Sequence, residues 1–590
     1  MERTDDDPIL RITRFNQYLG IVNSNSFQRH LDDAINDAAA AGRADTFAVR
    51  PWIAMGPRNI GGRVGALAQD PINPSILYAG SGLGGVWKTV DAGDTWTPRD
   101  NFTPPAGIRQ ALPIGAIAVA RSNPQIVYVG TGEPTLGTGG ADMDVPGFGL
   151  YRSTDAGGTF TQIDDIDTGT IRASRYERIL VDPWDADRCW IACLTGLWRR
   201  EAGGGISQDV IGGGAASQVV TDVVIDFGDV TAGAPATFTV YVGVYGNGIY
   251  RATFDRATTT YTGATPWTHL DTGIRETGFG KVKIALCAAQ PNVLYCVFGQ
   301  ADESASRVYR STDRGGKWER TSNRPDDSGR QASYDLFVEV HPKRPEVVFT
   351  GSVEVWRTQN SGEKWDKVLD WTNYDGGDRA QHADQHALLF DAGRDGTIWL
   401  CNDGGISRSR NLGATWRKKS YGILAVMFYD VTVHPTYPWV TGGGFQDNGC
   451  WVGLGGQTWY QLSGGDGGAV VFNPGDLTRI ITTWQGWTGS GLRHQLGVVQ
   501  CDISNVNETP GLHPAAQYTG ALPDLTTVRP GDAVSINKFK SDNSNLDSGF
   551  KRPNTATFTG VMEHHPTTAN HFLVGRVDAL YLTTDGEHFD

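Results

Sequence analysis

Residues 63–99 read RVGALAQDPINPSILYAGSGLGGVWKTVDAGDTWTPR, and their periodicity decides the architecture. Val64 to Ala68 is a short apolar run, and Asp70-Pro-Ile-Asn-Pro74 is a turn, because proline fixes φ and Asn/Asp side chains bond their own backbone. Ile76 to Ala79 reads as a second strand, broken by the glycines of 82–85. Val86 to Thr89 reads as a third, and Asp91-Ala-Gly93 turns the chain into Thr95-Trp96, a fourth. Four short strands in about 40 residues, closed by an aromatic, predict one blade of a β-propeller.

The closing hairpin recurs. Thr89-x-Asp91-x-Gly93-x-Thr95-Trp96 is followed by Ser153-Thr-Asp155-Ala-Gly157-Gly-Thr159-Phe160 and Ser311-Thr-Asp313-Arg-Gly315-Gly-Lys317-Trp318. Two copies carry Asn for Asp, Thr358-Gln-Asn360-Ser-Gly362-Glu-Lys364-Trp365 and Ser409-Arg-Asn411-Leu-Gly413-Ala-Thr415-Trp416. A shortened copy, Thr583-Thr-Asp585-Gly586-Glu-His-Phe589, ends the sequence. The motif resembles the Asp-box, or BNR, repeat. The resemblance implies that the Asp accepts hydrogen bonds inside the turn, that Gly supplies positive φ and that the aromatic packs between blades. These aspartates are therefore expected to be turn residues, not catalysts.

Propeller units can be counted from residue 50 onward. Pairs of first and second strands are predicted at 64–80, 115–130, 178–193, 222–243, 282–298, 336–350, 386–401, 430–441, 469–483 and 559–575. Ten units of about 54 residues suit four-stranded blades. The last unit stops after its third strand, and Pro51 to Met55 precede the first, so residues 51–55 are expected to close the last blade. A single ring of ten is favoured, with two rings as the alternative. Residues 1–49 do not read as propeller: Ser26 is an N-cap, Phe27, Leu31, Ile35 and Ala38 form one stripe, and Gly42 is a C-cap. A helix over Phe27 to Ala41 is predicted, serving as an attachment to the propeller or to a partner. Residues 502–556 are polar and rich in Pro, Asn and Ser, and are predicted to be an insertion.

Composition narrows the partners. The chain has 590 residues, 76 glycines, 18 tryptophans and a net charge of -14. That charge argues against nucleic acid and against an anionic membrane surface, leaving a glycan or protein ligand. No run of 18 apolar residues suggests a membrane span, and the start, MERTDDDPILRITRF, has no signal-peptide core. The seven cysteines lack metal spacing. Cys189 and Cys193 are expected on one strand face, and Cys287 and Cys296 on neighbouring strands where they could pair. The balance favours buried free thiols.

Propeller topology sorts the loops. Those leading into first strands, and those joining second to third strands, share one face, where propellers usually bind. Lead-in loops supply Arg58, Arg63, His382, Asp384, His386 and Asp466. Second-to-third loops supply Glu133, Asp142, Asp144, Asn402, Asp403, Gln446, Asp447, Asn448, Arg576 and Asp578. His386, Asp403, Asp447 and Asp466 lie on three consecutive units and are expected in one sector. The strings DQH, NDGG, QDNG and GGDGG resemble those of BNR-repeat proteins related to sortilin and to glycoside hydrolase family 74. That resemblance spans about residues 50–500 and implies an extracellular or cell-surface protein, with the cytoplasm and other export routes left open by the sequence.

Two functions follow. Glycoside hydrolysis needs an acid and a base or nucleophile about 5–10 Å apart. Asp403, Asp447 and Asp466 are the candidate catalytic carboxylates, with Arg58, Arg63, Glu133, Asp384, His386, Asn402, Gln446, Asn448, Trp484, Trp487 and Arg576 as candidate ligand-binding residues. No cofactor is required; clustered carboxylates could take Ca²⁺, and His382-x-Asp384-x-His386 could ligate a transition metal. The alternative is a non-enzymatic binding or scaffold propeller, assembled through residues 1–49. Two departures from family patterns bear on the choice. Family 74 carries an Asp in the first blade's second-to-third loop, in a string like T-D-V-G-G, where this chain has Ser81-Gly82-Leu83-Gly84-Gly85. The R-I-P string of sialidases is absent.

Overall fold

The structure is a computed structural model that describes residues 56–103, 112–133, 147–163, 175–212, 218–262, 266–301, 306–321, 331–369, 371, 381–435, 440–454, 457–472, 479–488, 491–500, 540–541, 561–564, 572–575 and 580–583. These residues form strands and turns with no helix among them, and none is part of a helix long and apolar enough to cross a membrane. The predicted N-terminal helix, the closing strand 51–55 and most of the 502–556 insertion lie outside the described residues.

Ten antiparallel sheets follow one another along the chain, eight of them four-stranded and each ordered as its strands occur. Their first strands are Val64–Gln69, Ile114–Val119, Tyr176–Asp182, Val220–Asp226, Phe279–Leu286, Phe337–Val340, Gln385–Phe390, Phe428–Val433, Asp466–Phe472 and Val561–His564. The ten predicted units are therefore the ten sheets, numbered here in that order. The second sheet gains a fifth strand, Phe102–Thr103, which pairs in parallel with Phe160–Gln162 and stacks Phe102 on Phe160. In the first sheet the third strand follows the glycines of 82–85, and Asp70 acts as the expected turn residue, its Oδ1 accepting the amides of Ile72 and Asn73 at 2.8 and 3.0 Å.

The expectation of one ten-membered ring is corrected. The chain divides into two compact units, 61–425 and the remainder. Within 61–425, seven sheets close on themselves, first strand packing on first strand around the circle and Gln385–Phe390 returning to Val64–Gln69. The seam is specific. Gln69 Nε2 donates to Asp391 Oδ2 at 3.0 Å, and Trp399 Nε1 donates to the same oxygen at 3.0 Å. Trp96 Nε1 donates to Lys419 O at 2.6 Å. Val64, Leu77, Ala79, Trp87 and Trp96 share one buried core with Trp399, Cys401 and Ile406. In the other unit, the eighth, ninth and tenth sheets pack in sequence.

The repeated hairpins explain how neighbouring blades register. In all five described copies, the Ser or Thr hydroxyl donates to Oδ1 of the Asp or Asn, and that Oδ1 accepts the amide four residues on. The next residue takes a left-handed φ, 57° at Ala92, 56° at Ala156, 63° at Arg314 and 52° at Leu412. In four of the five copies its carbonyl is met by a donor from the preceding blade: Lys88 to Ala156, Arg251 to Arg314, Arg357 to Leu412 and, across the seam, Arg408 to Ala92.

The cysteine expectations divide. Six described cysteines are buried and free. Cys189 and Cys193 do share one core. Cys287 and Cys296 do not pair, because they face opposite sides of the fifth sheet and enter different cores.

Candidate functional site

Four blades of the ring send a side chain to one buried node. Arg63 immediately precedes the first strand of sheet one, and Asp403 sits between Ile398–Asn402 and Gly405–Ser409 of sheet seven. Arg63 Nε donates to Asp403 Oδ1 at 3.1 Å, and its Nη1 donates to both oxygens of Glu133 at 3.3 Å. Glu133 follows Val127–Thr131 of sheet two. His386, second residue of the first strand of sheet seven, lies 2.6 Å from Asp403 Oδ1 through Nε2. Tyr334, ahead of the first strand of sheet six, donates its hydroxyl to Asp403 Oδ2 at 2.7 Å.

The electrostatics follow from this geometry. Arg63 and Asp403 are 3 % and 1 % exposed, so both charges are desolvated and need partners. Burial alone pushes the Asp403 carboxyl up, but Arg63, and then His386, outweigh it and hold the group well below the usual carboxylate range. Three hydrogen-bonding partners on its two oxygens favour the ionised form of Asp403. The guanidinium of Arg63 also lies 5.0 Å from the Tyr334 ring centre, and that ring meets the His386 imidazole edge-on at 4.8 Å. Tyr334 was not singled out from sequence. It lies in a lead-in loop like the others, and its partners are distant in sequence.

Other expected residues of this unit do different work. Asn402 is 2 % exposed and spends its side chain on the loop itself, donating to Gln385 Oε1 at 3.2 Å and accepting the Gly404 amide at 3.0 Å. Asp384 is half-buried with φ 63°, and its amide donates to Val353 O at 3.2 Å. His382 Nδ1 is 3.0 Å from Ala383 O. At Gly82 a Cβ would come within 3.1 Å of Arg63 Cδ and 3.5 Å of Glu133 Oε2, so the Arg63–Glu133 pair already borders the space an aspartate there would use.

The remaining unit holds the second set. Asp466 opens the first strand of sheet nine, and its Oδ1 accepts the Asp447 amide at 2.6 Å. Asp447 has φ 57° in the turn between Val440–Phe445 and Gly449–Leu454 of sheet eight. Both aspartates are half-buried. Asn448 Nδ2 donates to Gln446 O at 2.9 Å, tightening the same turn. Arg58 is exposed and its amide donates to Gln457 O. Trp484 lies opposite Gly467 in the ninth sheet, but the side chains of Trp484 and Trp487, and Asp142, Asp144, Arg576 and Asp578 altogether, lie outside what the structure describes.

One polar cluster escaped the loop-based reading because it sits on strands. On the inner strands of the ring, Arg178 pairs with Asp222 at 3.1 Å and with Glu339, three blades away, at 3.3 Å, while Lys283 pairs with Glu177 at 2.6 Å. Charged side chains therefore span the middle of the seven-sheet ring.

No family model matches the chain. Among curated proteins it is 23 % identical over 360 residues to xyloglucanase Xgh74A of Acetivibrio thermocellus, covering 53 % of this chain and 39 % of that one. The chain spans about two-fifths of the length of the curated relative it matches. Among solved structures, an ancestral GH74 enzyme superposes with a TM-score of 0.57 at 17 % identity, covering 91 % of this chain and 69 % of that one. The GH74 enzyme of Niastella koreensis gives 0.53 at 16 % identity, covering 91 % and 79 %. At these identities the likeness is one of fold: the chain is a β-propeller protein built like those of glycoside hydrolase family 74.

Proposed function

We propose that the chain is a glycan-active β-propeller, a glycoside hydrolase that works through loop carboxylates. The observation that carries this is the contact between Asp447 and Asp466, two half-buried aspartates on adjacent glycine-flanked loops, in which the Asp447 backbone amide donates a 2.6 Å hydrogen bond to Asp466 Oδ1. The Asp447 amide orients the Asp466 carboxylate, which suits Asp466 to the role of base or nucleophile and leaves Asp447 as the acid. Asp403 stands apart, because three buried or half-buried donors already surround it. Xyloglucan is the first substrate to try, since the curated relative is named for it. The carboxylate-rich loops could also take Ca²⁺, though none is required.

A binding or scaffold propeller is the second reading, and Gly82 favours it. Family 74 places a carboxylate at that loop, and here the Arg63–Glu133 pair borders the space instead. One experiment separates the two. A panel of plant, algal and bacterial polysaccharides is incubated with the parent, Asp447→Asn and Asp466→Asn proteins, with and without chelator. The hydrolase reading expects cleavage by the parent and a loss of about 10²–10⁴-fold in each variant. Loss on chelation adds a metal. A folded parent that cleaves nothing leaves the binding propeller.

A further inference from the structure

One guanidinium on the inner strands of the ring serves two carboxylates. Arg178 Nη1 donates to Asp222 Oδ1 at 3.1 Å, and its Nη2 donates to Glu339 Oε1 at 3.3 Å. The two acids are not equivalent. Asp222 is 1 % exposed, and each of its oxygens also accepts a backbone amide, Val223 at 2.9 Å on Oδ1 and Ile284 at 2.7 Å on Oδ2. Glu339 keeps 25 % of its side chain exposed, and among the described residues its hydrogen bond is the one from Arg178. A proton taken up by the pair therefore goes to Glu339.

The charges around the pair leave a place for that proton. Sheet three contributes Glu177 beside Arg178, sheet five contributes Lys281 and Lys283, and Asp335 stands ahead of the first strand of sheet six, facing Lys281. Glu177 takes both lysines, at 3.4 and 2.6 Å, and Asp335 accepts the Ser352 hydroxyl at 3.0 Å. Asp182 and Asp226, at the far ends of their strands, are held by Arg256 and Arg314. His386 of sheet seven is bonded to Asp403, and the first strands of sheets one and two, VGALAQ and IGAIAV, bring no titratable group. Among the described residues, the cations Arg178, Lys281 and Lys283 thus face the carboxylates Glu177, Asp222, Asp335 and Glu339. With all of these ionised, one buried negative charge would lack a counterpart. Burial pushes the Glu339 carboxyl up to about 7, with Arg178 opposing and Asp222 reinforcing.

We infer that Asp222 and Glu339 hold one proton between them below neutral pH, seated on Glu339, and that this proton latches sheet six to sheets three and four across the ring. A carboxyl raised in the folded state contributes stability that is complete below its unfolded value, about 4.3, and is lost as pH rises through about 7. The latch therefore loosens toward alkaline pH.

Glu339→Gln keeps an oxygen for Arg178 and stands for the protonated acid at every pH. Urea unfolding of the full chain compares it with the parent from about pH 5 to pH 8.5. The parent's folded-to-unfolded ratio is expected to fall behind the variant's by up to about tenfold per pH unit as pH rises toward 7, the linkage of one proton, and then to level off. A gap that is flat with pH, or one that opens toward acid, overturns the shared proton. Infrared spectroscopy decides the same point if the variant does not fold. A protonated-carboxyl band is expected to vanish between about pH 6 and pH 8 in the parent and in Asp209→Asn alike, the latter removing another carboxyl that burial raises. Absence of that band overturns the inference. Amide hydrogen exchange in Phe337–Val340, taken relative to its intrinsic rate, reads the latch itself. It is expected to quicken severalfold over the same pH range in the parent and not in Glu339→Gln. Loss of the proton with unchanged exchange overturns the latch.

Discussion

A single oxygen explains why Asp and Asn alternate in the repeated turns. Oδ1 accepts both the preceding hydroxyl and the amide four residues on, and it does so at Asp91, Asp155, Asp313, Asn360 and Asn411 alike. The second atom matters less: Asp155 Oδ2 takes the Thr159 hydroxyl, whereas Asn411 Nδ2 donates to the Thr415 hydroxyl. What Asp adds is a charge that responds to pH. The Thr159 amide, followed by the Ser153 and Thr159 hydroxyls, outweighs slight burial and holds the Asp155 carboxyl down at about 2. A depressed folded-state pKa contributes stability above the unfolded value, near 3.9, that is lost as pH falls through the folded one. Asp155→Asn keeps the Oδ1 acceptor and removes the charge. Its stability deficit against the parent, from urea melts, is expected at neutral pH and to shrink between about pH 4 and pH 2. A deficit that stays constant over that window would show that the charge contributes nothing. At this scale the sequence was readable where chemistry is local. The turn roles of the Asp residues were legible because donor and acceptor lie within four positions. The partners of Asp403 were not, since Arg63 is 340 residues away and Tyr334 is 69.

Between blades, the left-handed residue in four of the five described turns offers its carbonyl to a basic side chain of the blade before it. The four contacts are not equivalent. Ala156 O receives both Lys88 Nζ at 2.7 Å and the Tyr78 hydroxyl at 2.8 Å. Ala92 O, at the seam, receives Arg408 Nη1 at 3.1 Å, from a guanidinium that also lies 5.2 Å from the Trp399 ring centre. Arg408 is 7 % exposed. Arg408→Met keeps the apolar stem but removes a charged donor from a buried carbonyl, and is expected to cost about 1.5–3 kcal/mol in chemical denaturation. Lys88→Met is expected to cost less, because Tyr78 still satisfies Ala156. Equal losses would mean that these contacts follow the packing and do not hold it. The strands themselves were legible from turn chemistry and short apolar runs. These cross-blade donors were not, because each is an isolated Lys or Arg on a third strand and nothing in its own neighbourhood marks it.

Counting blades and closing them are different problems. Ten strand–turn–strand units stand out because each repeats the same local signals. Which sheet neighbours which is decided by pairs such as Gln69 with Asp391 and Trp96 with Lys419, more than 300 positions apart. Those pairs close sheet seven on sheet one, and local periodicity is blind to them. The closure has a consequence for the chain as a whole. A sheet edge left open is costly and prone to association, and the seven sheets of 61–425 cover one another's faces around a full circle. A polypeptide of residues 61–425 alone is therefore expected to fold cooperatively, with one transition shared by tryptophan fluorescence and far-ultraviolet circular dichroism. Trimming it to 61–384 removes sheet seven and with it the core that Trp399, Cys401 and Ile406 share with Trp87 and Trp96. That shorter piece should lose the cooperative transition. If both pieces melt alike, the seam is dispensable and the ring is not the folding unit. If neither folds, 61–425 needs the rest of the chain, and its closure in the native protein is a result of assembly, not its cause.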